Sequence, residues 1–474
     1  MMIKKSCTIK YLGILFFVVF LLLGCSSGSG DSSDTSSNDD SNDSGSTSDT
    51  TTNVEEPGAL GSLTDIGDLV SAGDNWYETR IMALGDDGSV VGQTTRSGGP
   101  VKAAFLWDAS TQAMTYLGIH GEGDLSAYPI YDDTDSDPHA FIYSEAVDIG
   151  PTGDIICNST TGYDWPDETE KRGFYYSGGT LTDLPPLDGT DPADDSDDGH
   201  FSEAFFISQD YVLYNAEIEK DDNKIGFYWD KSGSPYTGVL GQIVGAALVE
   251  PVGINNYNQA AVNSDSTSTV FHDLDVDAVQ TLNNLPGATE TIASAINDSQ
   301  PTGHIVGTSD DIAFFWDGGS MYPCGDLGGG TSEATDLNDS DQVVGSSTTS
   351  NGSTHAFLWE LNASGQGEMV DLGTLGGSNS YAVAINNNGL IVGYSETGET
   401  YDQGGVTASI VHACAWYGNT IYDLGVHNDF YAYPFVESYP FSEAIDVNDD
   451  NRIAGNSYTI NSHYRGFIID AVLP

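Results

Sequence analysis

Short apolar runs alternate with polar positions along almost the whole chain, and the alternation has a period of two. The clearest stretch contains four such runs: "AVAIN" from Ala382, "LIVGYS" from Leu390, "HAFLW" from His355 and "MVDLG" from Met369. Turn-forming clusters such as Asn387-Asn388-Gly389 and Asp317-Gly318-Gly319 separate them. Period-two runs bounded by Asn, Asp and Gly predict strands joined by tight turns. Nothing in the mature part predicts a helix.

The runs recur as three phrases in a fixed order, and such internal repetition decides the fold expected of a chain. The first phrase, two strands around a turn, occurs eight times, from Met82-Ala83-Leu84 to the copy at Ala444–Asn456. The second occurs at Ala104, Gly173, Gly226, Val270, Ala313, Ala356, Ala413 and Gly466, and five of its copies close on a tryptophan: Trp107, Trp229, Trp316, Trp359 and Trp416. The third runs from Asp65 to Asp423 and is offset, because the chain begins on "LTDIG" and ends after "GFIID" without another copy. Four strands in a meander make a propeller blade. The expected fold is therefore an all-β β-propeller of four-stranded antiparallel blades, eight in number with seven as the alternative because the fourth copy is degenerate. The N-terminal strand Leu63 to Gly67 would close the ring, removing the edges an open array leaves. The tryptophans are expected to pack between blades.

These phrases resemble the HAF-type extracellular repeat, named for the His-Ala-Phe found here at His355-Ala356-Phe357, with "IN…G.IVG" before it and "DLGTLGG" after it. The resemblance covers nearly all of the chain beyond residue 58 and is most specific between Gly325 and Leu424. The first three copies depart from it through Tyr-rich and Asp-rich insertions. It implies an exported or surface repeat protein and carries no catalytic residues with it.

The N-terminus changes the picture. Met-Met-Ile-Lys-Lys and Lys10 precede an apolar stretch from Tyr11 to Leu23, the charge-then-hydrophobic order of an export signal and short for a membrane span. It ends in Leu22-Leu23-Gly24-Cys25, which resembles the lipobox of bacterial lipoproteins, with Cys25 the residue that takes the lipid; Ser26 resembles the outer-membrane sorting pattern. The expected organisation is a signal peptide over 1–24, lipidated Cys25 and a disordered Ser/Asp-rich tether over 25–57, and the repeat domain over 58–474. The tether has no aromatic side chain with which to offset the entropy of ordering.

Charge narrows the partners. The chain has 13 basic against 71 acidic residues, for a formal net charge of −58, so nucleic acid is excluded as a partner and cations, basic partners or a salty medium are favoured. Of the five cysteines, Cys157, Cys324 and Cys414 fall in the repeat domain without metal-ligand spacing and are read as buried hydrophobes.

In a meander, the connections between strands two and three and between successive units share one end. The long insertions, Ile119 to Ser144, Ser159 to Arg172, Leu187 to Ser202, Tyr394 to His412 and Val426 to Ser442, all belong to that class, and long loops gathered on one side of a scaffold are where function concentrates. They present Tyr128, Tyr131, Trp165, Tyr431, Tyr433 and Tyr439 as a ligand-binding face. Carboxylates at alternate positions, Asp133, Asp135 and Asp137, and the set Asp194, Ser196 and Asp198 are candidate calcium ligands, although Pro138 stands where an EF-hand loop has glycine. Asn/Asp/Gly turns such as "NNNG" are read as hairpin turns. No nucleophile elbow, phosphate loop or His-Glu-x-x-His motif is present.

The expectation is an outer-membrane lipoprotein, facing the periplasm or the cell surface, that acts as a non-catalytic binding module for a glycan or a surface protein. A polysaccharide-degrading hydrolase or lyase and a structural envelope protein are the alternatives.

Overall fold

In the computed structural model the described residues are 53–55, 60–67, 76–96, 102–117, 143–160, 171–184, 202–217, 224–232, 238–239, 249–264, 267–362, 364–403, 406–425, 441–458 and 464–474. All regular structure among them is β. The signal stretch, Cys25, and the tether before Asn53 lie outside them.

The strands pair as antiparallel up-and-down meanders of four over 76–116, 143–183, 202–239, 249–281, 292–323, 328–371 and 380–425. The last stretch, 441–470, supplies only three strands. Its fourth comes from the other end of the chain: Thr64–Asp65 pairs antiparallel with Tyr464–Asp470, Thr64 opposite Ile468 and Asp65 opposite Phe467. The Ile66 N–H extends this pairing to the Gly466 carbonyl at 3.2 Å. The degenerate copy, 249–281, forms the same meander as the others.

A bulge sits at one place in the first strand of every meander, as between Ala382 and Ala384 or Ala444 and Asp446. It bends the strand and increases its twist. Gly393, opposite, has a carbonyl of the first strand in the space its side chain would need, that of Tyr381. This explains the glycine of "IVGYS" better than any turn requirement would.

Apolar side chains from neighbouring meanders interlock. Trp416 packs with Ile385, Cys414 and Val344 across 328–371 and 380–425, and Trp359 with Phe315 and Val306 across 292–323 and 328–371. All five repeat tryptophans are buried in such clusters. The first and last meanders pack in the same way: Ile81, Val90, Phe105 and Trp107 share one cluster with Ile66, Ile445, Ala454 and Ile468.

Two segments differ from the sequence expectation. The Tyr394 to His412 insertion is a hairpin that lengthens the strands Ile391–Gln403 and Val406–Tyr417, with Thr400 opposite Ser409 and Asp402 opposite Thr407; the backbone ladder continues through polar residues because pairing uses N–H and C=O groups only. Asn53–Glu55, read as tether, pairs in parallel with Thr420, Ile421 and Tyr422. The outer edge of the 380–425 meander offers unpaired backbone groups that an extended segment can take up whatever its side chains.

Candidate functional site

The repeat phrases meet where one meander joins the next. Ser380 Oγ accepts the Ala356 N–H at 2.9 Å and donates to the Gly373 carbonyl at 2.7 Å. His355 Nδ1 lies 2.9 Å from the Asp371 carboxylate, whose Oδ1 also accepts the Gly373 N–H at 2.8 Å. The same clasp recurs with Ser442, Ala413, Gly425, His412 and Asp423. Burial works against the charged form of Asp371, but the hydrogen bonds from His355 and Gly373 prevail and hold its carboxyl below the usual range. The His and Asp of the HAF and DLG phrases are thus one structural unit, which fixes the third and fourth strands and presents a carbonyl to the next meander.

The turns between first and second strands form a second device. Asn255, Asn297, Asn338, Asn386 and Asn448 each donate a side-chain N–H to the equivalent turn of the next meander: to the carbonyls of Asn297, Asn338, Asn386, Asn448 and Gly85, at 2.8–3.2 Å. One residue on, the side-chain oxygens of Asp298, Asp339, Asn387 and Asp449 accept the N–H groups of Asn256, Asp298, Asp339 and Asn387. Asp341, Gly389 and Asn451, at equivalent places, adopt positive φ, which Asn, Asp and Gly tolerate best. These turns are hairpin turns, as their composition suggests, and also an inter-sheet relay. The recurrence of one Asn at one position was the available signal for it. Asp86 joins this end; burial, then the charges of Asp449 and Asp298, raise its carboxyl above the ordinary range.

The opposite end differs. Here a cleft of about 80 Å³ opens between the first and last meanders, lined by Glu78, Arg80, Gln93, Thr95, Lys102 and Tyr464. Register builds it: Glu78 lies opposite Thr95 and Thr95 opposite Lys102, while Arg80 lies opposite Gln93 two rungs deeper. All are half-buried. The Arg80 guanidinium lies 5.1 Å from the Tyr464 ring centroid, Tyr458 meets that ring edge-on, and the Tyr464 N–H donates to Glu78 at 3.4 Å. Behind Arg80 and Tyr464, Glu443 is 98% buried, with one carboxylate oxygen lacking a hydrogen-bond partner. Burial pushes its pKa up to about 7 against the opposing pull of Arg80. The cleft therefore combines both signs of charge in a partly desolvated space.

A family model described as "Protein of unknown function (DUF3466)" matches residues 326–409, the stretch that holds the His355–Asp371 clasp. No curated protein matches. Among solved structures, TolB from Acinetobacter baumannii is similar at 11% identity over 54% of this chain and 53% of that one, with a TM-score of 0.28. Porphyromonas gingivalis dipeptidyl peptidase 4 is similar at 9% identity over 80% and 57%, with a TM-score of 0.44. The chain thus spans little more than half the length of either, and likeness at this level carries no argument about activity.

The sequence-predicted residues Cys25, Tyr128, Tyr131, Trp165, Tyr431, Tyr433, Tyr439, Asp133, Asp135, Asp137, Asp194, Ser196 and Asp198 all lie outside the described residues. The strands that flank their segments do end on the cleft side: Ala113–Tyr116 and Tyr143–Ile149, Thr180–Asp183 and Ser202–Ile207, Thr420–Gly425 and Phe441–Val447. Among the described residues, no group of three or more His, Cys, Asp or Glu side chains is placed to hold a metal ion. The cleft itself escaped the sequence reading; its signal was three cations, Arg80, Arg96 and Lys102, within one repeat unit of a chain with so few.

Proposed function

We propose that the repeat region is a closed propeller of eight blades that serves, lipid-anchored through Cys25, as a non-catalytic binding module of the cell envelope. The observation that carries the ring is the bonding between the first and last meanders. Asn456 receives the Ile81 N–H at 2.8 Å and donates to the Ile81 carbonyl at 3.1 Å, as Asn158 does with Ala204 between consecutive meanders. Thr79 Oγ1 donates to the Gly67 carbonyl at 2.9 Å, the role Ser380 plays toward Gly373. Gly67 therefore stands in for the third phrase that the C-terminus lacks.

Short turns clasp five successive joints at one end of the scaffold, from 249–281 round to 76–116, and the other end carries the long insertions. The binding face is assigned there, with Tyr128, Tyr131, Trp165, Tyr431, Tyr433 and Tyr439 as contacts for a glycan or a surface protein and with calcium at Asp133, Asp135 and Asp137 or at Asp194, Ser196 and Asp198 as the ordering ion. The lipoprotein faces the periplasm or the cell surface from the outer membrane.

The test is capture of envelope glycans and surface proteins by the mature chain, in EDTA and then in calcium, with wild type beside the triple variant Tyr431→Ala, Tyr433→Ala, Tyr439→Ala. Saturable binding that the variant loses supports the reading. Shortening of a polysaccharide on incubation would replace it with the hydrolase or lyase. Incorporation of labelled palmitate by wild type and by Cys25→Ser alike would remove the anchor.

A further inference from the structure

The outer strand of a meander presents an edge of backbone groups, and an edge left bare invites a strand from elsewhere. Most outer strands of this molecule are blunted. Pro323 ends one, Glu368 and Asp371 put charge on another, and Asn53–Glu55 covers a third. Those at 64–65 and 238–239 are two residues long, and Met114, Tyr116 and Leu181 turn partly inward in theirs. The strand Ala278–Thr281 has none of these devices. All four of its residues are exposed, it contains neither charge nor proline, and among the described residues no strand pairs with its outer side.

The ladder shows which groups this edge offers. The Leu282 N–H donates inward to the Thr269 carbonyl at 2.9 Å, so the alternation of an antiparallel pair turns the N–H and C=O groups of Val279 and Thr281 outward. Apolar surface lies beside them. Val276 and Val279 are 70% and 39% exposed, and with Tyr257 they make three of the five large apolar residues exposed among the described ones, all three in the 249–281 meander.

Charge selects what can lie there. Asp273, Asp275 and Asp277 flank the turn that leads into the strand, Asp275 and Asp277 are exposed, and 249–281 contains no Lys or Arg. A second copy of a chain with net charge −58 would set like charges against one another. A strand that alternates apolar with basic residues matches both Val279 and the carboxylates beside it.

We propose that the outer edge of Ala278–Thr281 docks an extended, basic segment of a partner protein, which adds a fifth strand to the 249–281 meander through the backbone of Val279 and Thr281. The molecule already accepts such an addition once, where Asn53–Glu55 lies along Thr420, Ile421 and Tyr422. Main-chain bonds give an added strand its affinity and side chains its selectivity. The site stands apart from the inserted loops and goes beyond the binding face assigned to them.

The experiment measures fluorescence anisotropy of three labelled peptides with the mature chain: one alternating lysine and valine, the same peptide with its central valine replaced by proline, and one alternating glutamate and valine. Saturable binding of the lysine–valine peptide is expected, about tenfold tighter than that of the proline peptide, which has the same charge but an interrupted ladder. The glutamate peptide should not bind. Val279→Pro removes an outward N–H and leaves the inward bonds of Ala278 and Gln280 in place, and it should weaken binding about tenfold. Val279→Lys should weaken it as well, by charge, and it keeps the test decisive should the proline variant misfold. Equal binding of the lysine–valine and proline peptides, no binding at all, or binding unchanged in both variants overturns the proposal. So does a dimer in sedimentation velocity that Val279→Lys dissolves, because the occupant is then a second copy.

Discussion

Two joints of this molecule use the same parts under different constraints. At the joint between 328–371 and 380–425 the chain runs straight from one sheet into the next, and hydrogen bonds from neutral donors hold the two together: Ser380 clasps Ala356 and Gly373, Thr335 Oγ1 reaches the Ala382 carbonyl at 3.1 Å, and the Asp336 carboxylate accepts the Ile385 N–H at 3.0 Å. Tyr381 stacks on Tyr394 at 4.9 Å, and Glu333 beside them is exposed. At the joint between 441–470 and 76–116 charges take part. Arg452 bonds Asp470 and the Gly88 carbonyl and lies over Trp107, and Glu443 is buried near Arg80. The position that is solvated at one joint is desolvated at the other. The chain's two ends also meet not between sheets but inside one, where backbone ladder bonds replace the covalent link. A break in the chain is better tolerated there, because antiparallel pairing restores both the hydrogen bonds and the buried face.

The largest effect should come from removing that internal pairing. Deleting residues up to Gly67 strips Leu60 and Ile66 from their clusters and bares the edge of Tyr464–Asp470. With about 2–5 kcal/mol for each lost apolar side chain, the truncated chain should lose its cooperative melt and aggregate, and a sharp melt at the wild-type temperature would show that the two ends contribute nothing. Trp359→Ala tests the ordinary joint and should cost about 3–5 kcal/mol in denaturant titration.

Next is pH. Glu443 is protonated in both states below its unfolded value, near 4.5, and ionised in both above its folded value of about 7. Between the two only the unfolded state releases the proton, so stability should fall with rising pH across that window, by roughly 3 kcal/mol. Glu443→Gln should flatten this slope, which chemical denaturation at pH 5 and pH 8 would reveal; a slope unchanged in the variant would assign it elsewhere. Asp371 has the opposite sign, since its lowered pKa stabilises the fold above the unfolded value and is lost on acidification.

Ser380→Ala should have the smallest effect, about 1–3 kcal/mol, because it leaves the buried Ala356 N–H without a partner. Thr79→Ala, its counterpart at the other joint, should differ from it by less than the two joints differ in pH response.

Strand order and the all-β class were legible because the period-two runs and the turn residues repeat with every copy. The tryptophans at the end of the second phrase could be placed in the core from size alone, and Trp359 and Trp416 lie there. The role of His355 and Asp371 was not legible: they stand 16 residues apart, and only the hairpin register brings them within 2.9 Å. The hairpin at 400–409 escaped because Glu396, Thr397 and Glu399 interrupt the apolar alternation, while the backbone ladder does not depend on it. The cleft was hidden for a related reason. Glu78 and Tyr464 belong to opposite ends of the sequence, and no local pattern relates them.

The pairing of Thr64–Asp65 with Tyr464–Asp470 also sets a timetable. The two strands lie far apart in the sequence, so the sheet over 441–470 stays one strand short until both are brought together. Contacts this distant in sequence form slowly. Until they pair, the edge of Tyr464–Asp470 stays unsealed and open to a strand from another chain.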